Sequence, residues 1–500
     1  MARNRTPGRK GRHVDYIHLT HPFTPQAVFT DDAIAALHDA ALGLLERQGM
    51  KILLPEARSL FAAAGCLVTD DMVQIGRDIV AAALTTAPRG WQMRSINPAR
   101  ERLYAPGQLL FGPGAGCPNA TDLQRGRRPG TLRDYEETLA LQQSFDVIHI
   151  LGPSVEPQDV AAHLRHYAMM QAQICRADKP MFVYARGRAQ IEDSLAMIRL
   201  GHDLSDDDWA NGVWAYTVIN TNSPRQLDNP MAQGIIDFAR AGQASIITPF
   251  CLAGAMAPVT VAGALILQHA EALAGITLAQ LARPGAPVSY GGFSSNVDMK
   301  SGAPAFGTPE HLKMQIGSGQ LARHIGLPWR SASGSASNTA DMQAAQETTH
   351  TLWGAMMAQA TLVVHAAGWL EGGLSFGYEK FINDIEALQT LAEMCLRPGD
   401  TPDDFALDAL AEVPPGGHFF ATAHTMARYD AAFYPPLVAD LSNHGQWTEA
   451  GALRSDQRAT AIWQRTLADF RPPAHGEQAA ARLAPFIAAR TAAGGAPPLD

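Results

Sequence analysis

The residues of this chain that could bind a ligand are concentrated between Pro287 and Glu386. Three apolar runs in this region, each resembling a buried strand, end in stretches rich in Gly, Ser and Asn that are longer than a simple turn requires. These stretches and strand ends carry aromatic and charged side chains: Tyr290, Phe293, Trp329, His365, Trp369, Tyr378, Asp298, Arg330 and Glu371. Aromatic faces beside a few charges are typical of a pocket for a small cation, so the sequence predicts such a pocket here.

Short apolar runs alternate with helical windows through the middle of the chain, which predicts an α/β fold. The runs are 108–112, 147–152, 181–185, 213–219, 245–250, 287–292, 327–332 and 362–367. Parallel strands need helical crossovers and eight such strands close on themselves, so the pattern predicts a TIM (β/α)8 barrel. A doubly wound open sheet is the alternative. We predict a tail and helical extension at 1–105, the barrel domain at 106–390 and a C-terminal helical extension at 391–500.

The carboxyl ends of the strands are where a barrel enzyme carries its chemistry. Asn220 ends the fourth run, with Tyr216 on the same side of the strand, and His365 lies in a run otherwise made of Val and Ala. The imidazole of His365 would bond either to a ligand at the barrel mouth or to core backbone, and the sequence leaves both open. Tyr216, Tyr290 and Trp329 have the same two alternatives, ligand contact or core packing.

The composition argues against several other classes of protein. Hydrophobic residues make up 46% and charged residues 17%, which suits a globular chain with a large core. A net charge of -9 disfavours nucleic acid as the main ligand. The five cysteines are scattered, without a CxxC motif or a Cys/His cluster, which predicts a reducing cytoplasm and no metal site. Pro249 and Pro258 interrupt the long uncharged run Ala241–Gln268, and we predict a buried strand, a loop and a helix there instead of a membrane span.

Five segments resemble the trimethylamine methyltransferase family of corrinoid-dependent enzymes. They are SYGGFSSNVDMKSG, GTPEHLKMQIGSGQLARHIGLPWRS, ADMQAAQETTHTLWG, HAAGWLEGGLSFGYEKFINDIE and GGHFFATAHT. The resemblance implies a TIM barrel that takes a methyl group from a methylated amine. It also implies a separate corrinoid protein that docks over the carboxyl-terminal mouth and receives the methyl group on Co(I). Archaeal relatives carry pyrrolysine at the end of the seventh strand, whereas Ser331–Asn338 holds only standard residues here. The chain is thus similar to the non-pyrrolysine branch, whose members include glycine betaine demethylases.

A quaternary amine is a suitable methyl donor for a site without pyrrolysine. Its nitrogen is already cationic, and the leaving group departs as a neutral amine. The protein then has only to hold it in line with cobalt. We therefore predict a cytoplasmic methyltransferase that moves a methyl group from glycine betaine or a related betaine to the cobalamin of a partner protein, with no metal bound by this chain. A betaine carboxylate would need Arg330, His365 or a backbone amide. A tertiary-amine demethylase and a non-catalytic binder of methylated amines are the alternatives.

The predicted site residues fall into two groups. His365 and Glu371 are predicted to be catalytic, in the sense of positioning and neutralising the substrate without acid–base chemistry. The residues predicted to bind substrate are Tyr216, Asn220, Tyr290, Phe293, Trp329, Arg330, Gly334 and Asn338. Apolar helices near both termini would suit either an interface between copies of the chain or packing on the barrel, since both would use the same faces.

Overall fold

The N-terminal region forms three helices, three strands of a small sheet, one hairpin and the antiparallel edge strand of the central sheet. The computed structural model describes residues 15–499. The strands of this region are β1 (Leu19–Thr20), β2 (Met50–Ile52), β3 (Leu67–Thr69), β4 (Met72–Gln74), β5 (Trp91–Met93) and β6 (Arg102–Tyr104). Its helices are α1 (Asp31–Arg47), α2 (Pro55–Ala63) and α3 (Arg77–Thr86). Helix α1 begins where Thr30 accepts a hydrogen bond from the Ala33 amide, and two aspartates in its first turn complement the helix dipole.

Strands and helices alternate through residues 106–394. The strands are β7 (Gln108–Phe111), β8 (Asn119–Thr121), β9 (Arg128–Pro129), β10 (Met181–Phe182), β11 (Ala215–Ile219), β12 (Gln226–Leu227), β13 (Ala244–Ile247), β14 (Leu252–Ala253), β15 (Val288–Gly291), β16 (Ser295–Val297), β17 (Pro304–Ala305), β18 (Trp329–Ala332), β19 (Leu362–Val364), β20 (Trp369–Leu370) and β21 (Ser375–Gly377). The helices are α4 (Leu132–Ser144), α5 (Ala162–Arg176), α6 (Arg188–His202), α7 (Asp206–Ala210), α8 (Asn229–Ala241), α9 (Val261–Ala282), α10 (Pro309–Ile325), α11 (Met342–Met357) and α12 (Tyr378–Met394).

The central sheet has eight strands in the order β1-β7-β19-β18-β15-β13-β11-β10. The strands from β7 to β10 are mutually parallel, and only β1 is antiparallel to its neighbour. Seven of the eight predicted runs supply these parallel strands, which confirms the α/β prediction. The prediction of a strand at 147–152 is wrong, because this segment forms no ladder. It makes single hydrogen bonds instead, from the His149 amide to the Phe111 carbonyl and from the Leu151 amide to the Pro180 carbonyl, both at 2.9 Å.

The sheet is curled, so that strands far apart in its order share one enclosed core. Leu110 on β7, Tyr216 on β11 and Leu362 on β19 belong to a single cluster of buried side chains on the inner face. A hairpin of the N-terminal region joins this cluster: Trp91 on β5 stacks on Tyr104 of β6, with ring centroids 4.6 Å apart. The outer face packs against the helices in a second, larger cluster. Residues N-terminal to the first parallel strand therefore help to fill the inner face of the sheet.

Helix α9 accounts for the long uncharged segment of the sequence. It is long and apolar enough to cross a membrane by composition alone, but 78% of the residues in its most apolar window are buried inside the protein. It contacts α1, α3, α8 and α10. The segment before it contains strands β13 and β14 and a loop, so the prediction of a buried strand, loop and helix is confirmed.

The C-terminal residues are helical and pack in part on the central helices. The helices are α13 (Pro402–Phe405), α14 (Leu407–Glu412), α15 (Ala423–Arg428), α16 (His444–Glu449), α17 (Ser455–Asp469) and α18 (Gly476–Ala492). Trp463 on α17 donates a hydrogen bond from Nε1 to Glu379 of α12 at 2.9 Å. Arg482 on α18 donates to the Gly201 carbonyl of α6 at 3.2 Å. These two helices are thereby fixed to the body of the protein.

Candidate functional site

The inner core is accessible to solvent at the carboxyl ends of the parallel strands. Ala115, Tyr184 and Val218 pack against the inner cluster but are only partly buried. The loop after β15 adds Phe293 and the residue after β19 is His365, and both are also partly buried. This end of the sheet therefore presents side chains of several βα loops to the same partly open region, as enzymes built on parallel sheets do.

A group of rings gathers in this region. Phe293 stacks on Phe306, with centroids 5.5 Å apart and planes 18° apart, and on Phe250 at 4.9 Å. Trp369 meets the edges of Phe293 at 5.7 Å and Phe306 at 5.1 Å. We call Phe250, Phe293, Phe306 and Trp369 the aromatic group. Its ring faces provide the negative potential that attracts a cation.

Arg330 lies beside the aromatic group as a buried and uncompensated cation. It is 2% exposed, and its Cζ lies 5.2 Å from the centre of the Phe293 ring. Its Nε and Nη1 have no hydrogen-bond partner among the described residues. Burial lowers the pKa of Arg330 to about 10, while the phenols of Tyr104 and Tyr216 act to raise it. The guanidinium is therefore charged at neutral pH and lacks the partner that a buried charge needs.

His365 completes the same group, and its protonation state follows from its contacts. The Ala115 amide donates to His365 Nδ1 at 3.2 Å, so in the neutral ring the proton is on Nε2. Burial and the nearby Arg330 charge lower the pKa of His365 well below its usual value, which keeps the ring neutral. Its Nε2 lies 3.2 Å from Nη2 of Arg330. Both of these nitrogens carry hydrogens, so neither can accept a hydrogen bond from the other. Both can donate a hydrogen bond to the same acceptor.

Backbone strain and stacking hold the imidazole in place. His365 has φ of 59°, in the left-handed region that few residues other than glycine occupy. Its amide donates to the Pro113 carbonyl at 3.0 Å, and its ring stacks on Trp369 with centroids 4.6 Å apart. A strained residue held from several sides is common at functional sites. The surrounding contacts thus direct Nε2 toward Arg330.

The segment Ser331–Asn338 passes directly beneath Trp369. Gly334 has φ of 140°, and a Cβ placed on it would lie 2.2 Å from the indole ring. A side chain at this position would therefore displace the tryptophan. Residues 331–335 are buried, and Asn338 is exposed. The absence of a side chain at Gly334 thus leaves the space that the Trp369 ring occupies.

Glu371 lies at the rim and is paired. Its carboxylate accepts from Arg127 Nε at 3.0 Å and from Ser375 Oγ at 2.7 Å. Partial burial acts to raise the pKa of Glu371, but the hydrogen bonds from Arg127 and Ser375 outweigh it and lower this pKa. The carboxylate is therefore ionised with its charge already neutralised, and it is poorly suited to donate or accept a proton.

Two other residues that the sequence predicts to bind substrate lie at different depths, one on β11 and one just beyond its end. Tyr216 is buried in the inner cluster, and its hydroxyl donates to the Leu151 carbonyl at 2.6 Å. It belongs to the inner cluster together with Leu110 and Leu362. Asn220 is exposed beyond the end of β11. Tyr216 thus forms part of the floor of the region, and Asn220 part of its rim.

Tyr290 and Trp329 are not brought into this cluster, contrary to the sequence-based expectation. They are paired in register on β15 and β18, and both belong to the outer core. The Tyr290 hydroxyl bonds to Gln268 at 3.1 Å and His269 at 3.2 Å, both on α9. The Trp329 indole donates to the Gln359 carbonyl at 3.0 Å. Alternate residues of a strand face opposite sides, so Arg330 next to Trp329 faces inward while the tryptophan faces the helices.

Three rings of the region were not selected from the sequence: Phe250, Phe306 and Tyr184. Phe250 follows β13 and could have been found as the last apolar residue of the run 245–250. Phe306 precedes the Gly-Thr-Pro start of α10 and lies among polar loop residues that gave no signal. Tyr184 follows β10, and the Arg186 guanidinium lies 4.2 Å from the centre of its ring.

A second cluster of arginine and aromatic residues joins the C-terminal helices to the sheet. Arg125 lies 4.8 Å from the centre of the Tyr378 ring and 5.5 Å from that of Trp463. Its Nε donates to Asp122 at 2.7 Å and its Nη1 to Glu137 at 2.9 Å. Here every strong charge has a partner. We call these residues the paired cluster.

Comparison with known proteins assigns the family. A family model described as Trimethylamine methyltransferase (MTTB) matches residues 1–495. The chain is 34% identical over 468 residues to the glycine betaine methyltransferase of Desulfitobacterium hafniense strain Y51, covering 93% of this chain and 97% of the relative. It is 28% identical over 467 residues to the trimethylamine methyltransferase MttB of Desulfitobacterium hafniense strain DSM 10664 / DCB-2, covering 92% and 93%. The protein is therefore a methyltransferase, and the chain belongs to the trimethylamine methyltransferase family.

One solved structure aligns with the chain at low similarity. The monomethylamine methyltransferase (MtmB) of Methanosarcina barkeri aligns with a TM-score of 0.46 and 9% sequence identity, covering 92% of this chain and 94% of that one.

Proposed function

We propose that this enzyme takes a methyl group from a quaternary amine that also bears a carboxylate, namely glycine betaine or a related betaine. The observation that carries the proposal is the buried Arg330, whose Nε and Nη1 have no acceptor among residues 15–499 and whose Nη2 faces the Nε2–H of His365. Converging donors without an acceptor suit a carboxylate, which can accept from both groups at once. The relative that is 34% identical is a glycine betaine methyltransferase, which supports the same substrate class.

The aromatic group supplies the other half of betaine recognition. Phe293 lies over the guanidinium and is partly exposed, so a carboxylate at Arg330 would hold its own ammonium close to this ring. Each ring face contributes about 0.5–2 kcal/mol to binding a quaternary ammonium. Trp369 and Phe306 provide further faces within 6 Å of one another. The carboxylate fixes one end of the substrate and the rings hold the cationic end.

The reaction needs orientation more than acid–base chemistry. When the C–N bond to the methyl group breaks, the electron pair remains on nitrogen and the amine leaves neutral. No proton has to be supplied, which agrees with a neutral His365 and a Glu371 already neutralised by Arg127. His365, Arg330 and Phe293 bind the substrate, orient its methyl group outward and exclude water from the charged groups. We assign His365 and Glu371 positioning roles, with Tyr216 and Gly334 supporting the floor and Trp369.

The methyl acceptor is proposed to be the cobalamin of a partner protein docked at this end of the sheet. Reduced cobalt would supply the nucleophile that accepts the methyl group. The surface around the site supports such docking, because four loops that follow strand ends and the first turn of α11 each expose a large apolar side chain: Leu123, Val259, Met299 and Leu374 in the loops and Met342 in the helix. Apolar residues surrounding an opening are typical of a protein interaction surface.

The remaining structural proposals concern closure, domains and location. We propose that the curled sheet closes into a (β/α)8 barrel through the segment 147–152, which is hydrogen-bonded to Phe111 of β7 and to Pro180, the residue before β10. We propose a barrel domain at 106–390 between the extensions 1–105 and 391–500. The five cysteines are all free thiols, which supports a reducing cytoplasm as the location.

The test is anaerobic methyl transfer to cob(I)alamin, measured as the loss of the cob(I)alamin absorbance. Glycine betaine, tetramethylammonium and trimethylamine are compared at equal concentration. We expect glycine betaine to react best. A charged hydrogen bond contributes about 1.5–3 kcal/mol, so tetramethylammonium should react about 10- to 150-fold more slowly. Equal rates for glycine betaine and tetramethylammonium would show that the carboxylate has no role. The absence of a reaction with any of the three amines would contradict the proposed activity.

A further inference from the structure

The hairpin of β5 and β6 covers the amino-terminal end of the central sheet. The Arg94 amide, just after β5, donates to the carbonyl of Val213, two residues before β11, at 2.7 Å. The Tyr104 hydroxyl on β6 lies 2.9 Å from Oγ of Ser289, near the start of β15. The hairpin therefore lies at the end of the sheet opposite to His365. In barrel enzymes this end contributes to stability, and the chemistry takes place at the other end.

A cavity of about 270 Å³ lies beside this hairpin. A water molecule takes up about 30 Å³ in the liquid, so the cavity has room for a small organic ion. Apolar side chains line part of it, among them Ile17, Leu19 and Leu110. Glu101 and Arg102 also line it, which places two charged residues beside an apolar wall.

Arg102 is held in place with one edge of its guanidinium free. The side chain is 2% exposed and lies on the same side of β6 as Tyr104 of the inner cluster. Its Nη1 donates to the Glu101 carbonyl at 2.6 Å and to the Ala99 carbonyl at 3.1 Å. Its Nε and Nη2 have no hydrogen-bond partner among the described residues. The N–H bonds of these two nitrogens are parallel, which is the arrangement that binds both oxygens of one carboxylate.

The carboxylates whose charge reaches Arg102 have other partners. Burial and the neighbouring Arg100 lower the pKa of Arg102 to about 10, so the guanidinium is charged at neutral pH. Asp15, Asp146 and Asp178 act to raise this pKa. However, Asp146 accepts from Arg100 at 2.6 Å, and Asp178 accepts from two side-chain amides at 2.7 and 2.8 Å. Asp15 accepts from the backbone amide two residues further on, at 2.7 Å.

The carboxylate that lines the cavity is also neutralised. Glu101 accepts from Nη1 of Arg94 at 2.9 Å. Residues 1–14, which precede the described range, contain no Asp or Glu. At the other limit of that range, the Leu499 amide donates to the Arg186 carbonyl, past the carboxyl end of β10. We therefore expect an anion that uses the free edge of Arg102 to come from outside the chain.

We propose that this cavity binds a small aliphatic carboxylate, whose two oxygens accept from Nε and Nη2 of Arg102 and whose hydrocarbon chain lies against Leu19 and Leu110. A carboxylate suits the cavity better than a phosphate, because Arg102 is the only Arg or Lys among the described residues that line it. The apolar wall also favours a ligand with a hydrocarbon part. Such a ligand stabilises the folded chain from the end of the sheet opposite to the aromatic group.

The experiment measures the melting temperature of the full-length protein by tryptophan fluorescence, while sodium butyrate replaces sodium chloride at constant ionic strength. The parent protein is R330M, because Arg330 at the other end of the sheet also has donors free for a carboxylate. A ligand that binds the folded state raises its melting temperature, so butyrate should raise that of R330M until the site is saturated. Butyramide has the same chain without the charge and should have no effect.

Two further variants locate the site. R102M/R330M lacks the donors and should melt at the same temperature with and without butyrate. R102K/R330M keeps the positive charge but lacks the parallel pair of N–H groups. The loss of one charged hydrogen bond should raise the apparent Kd for butyrate about 10- to 150-fold. R102K/R330M also decides the question if R102M/R330M does not fold.

Four other results would overturn the proposal. The first is that butyrate leaves the melting temperature of R330M unchanged. The second is that R102K/R330M or R102M/R330M responds to butyrate as R330M does. The third is an equal response to butyramide, which would show that the charge of the ligand has no role. The fourth is a response to sodium phosphate without a response to butyrate, which would assign a different anion to the cavity.

Discussion

Arg125 and Arg330 both lie against aromatic rings, but only the charge of Arg125 is neutralised by carboxylates of the described residues. Arg125 in the paired cluster is 4.8 Å from the Tyr378 ring centre and bonds to Asp122 and Glu137. Arg330 is 5.2 Å from the Phe293 ring centre, and its Nε and Nη1 have no partner among the described residues. The same residue types thus occur in two electrostatic environments.

The difference indicates two roles. Arg125 joins α17 and α12 to the loop before α4, and its ion pairs contribute to stability. An unpaired buried charge lowers stability, and this supports the proposal that Arg330 binds an anionic group of the substrate. A buried cation beside rings is therefore a candidate binding group only when its own protein leaves it without an anion. The following predictions test this contrast, beginning with the largest expected effect.

Replacing Arg330 should have the largest effect on catalysis. Truncating a buried charged partner costs about 2–5 kcal/mol, so R330M should lower kcat/KM for glycine betaine about 30- to 5,000-fold. Its thermal stability should stay equal or rise, because an uncompensated charge is removed. The matched variant R125M should instead melt at a lower temperature and keep most of the activity. If R125M loses activity and R330M does not, the contrast between the two arginines is wrong.

Replacing His365 should have an intermediate effect. H365A removes one donor to the substrate carboxylate, and a charged hydrogen bond of about 1.5–3 kcal/mol corresponds to about 10- to 150-fold in kcat/KM. H365N is the control, because asparagine tolerates the left-handed backbone and keeps an N–H donor. Steady-state kinetics should show partial recovery in H365N. Wild-type kinetics in H365A would remove this residue from the site.

Removing one ring should act on the cationic end of the substrate. F293L should lower kcat/KM about 2- to 30-fold, since one aromatic face contributes about 0.5–2 kcal/mol. The loss should be the same for glycine betaine and tetramethylammonium, unlike the loss in R330M. F293Y retains the ring and should restore the rate. A loss confined to the substrate with a carboxylate would show that Phe293 acts through Arg330 alone.

Changes on the outer face of the sheet should leave catalysis almost unchanged. Y290F removes hydrogen bonds to Gln268 and His269 and should lower the unfolding free energy by about 1 kcal/mol. Its kcat/KM should stay within about twofold of wild type, because the side chain faces α9. A much larger loss of activity would mean that this ring reaches the substrate.

The smallest expected effect is that of mild acid on the catalytic rate. His365 has a pKa lowered well below its usual value by burial and by Arg330, so its ring stays neutral between pH 8 and 6, and kcat should be nearly constant. Stability behaves differently. Unfolded histidines gain protons below about pH 6.5. In the folded protein, burial lowers the pKa of His149 to about 3, so this histidine stays neutral at that pH. Protons then bind the unfolded chain more than the folded one, and stability should fall as the pH drops below 6.5. A rate that follows a pKa near 6.5 would contradict a neutral His365.

Much of the α/β core could be predicted from the sequence, because its strands are short apolar runs between helical windows. The run 287–292 is strand Val288–Gly291, and the run 327–332 is strand Trp329–Ala332. The run 147–152 was misassigned because its apolar pattern equals that of a strand although it forms only isolated hydrogen bonds. A local pattern cannot report whether a neighbouring strand supplies a continuous ladder.

The orientation of the strand residues could not be predicted in the same way. Strands β15 and β18 are buried on both faces, so their sequences lack the alternation that identifies an inner side. Tyr290, Trp329 and Arg330 therefore looked equally suited to a pocket. Only the arginine faces the inner core, because Trp329 is paired with Tyr290 on the helix side.

The sequence by itself determined the family, the parallel α/β core and the presence of aromatic and cationic residues at strand ends. These follow from residue types, their spacing and motifs along the chain. The tertiary structure alone decided that Arg330 has no anion beside it in the part of the chain that the structure describes, that His365 Nε2 faces it and that Glu371 is already neutralised by Arg127. The pairing of a charge depends on residues up to 244 positions away in the chain, and only folding brings them together.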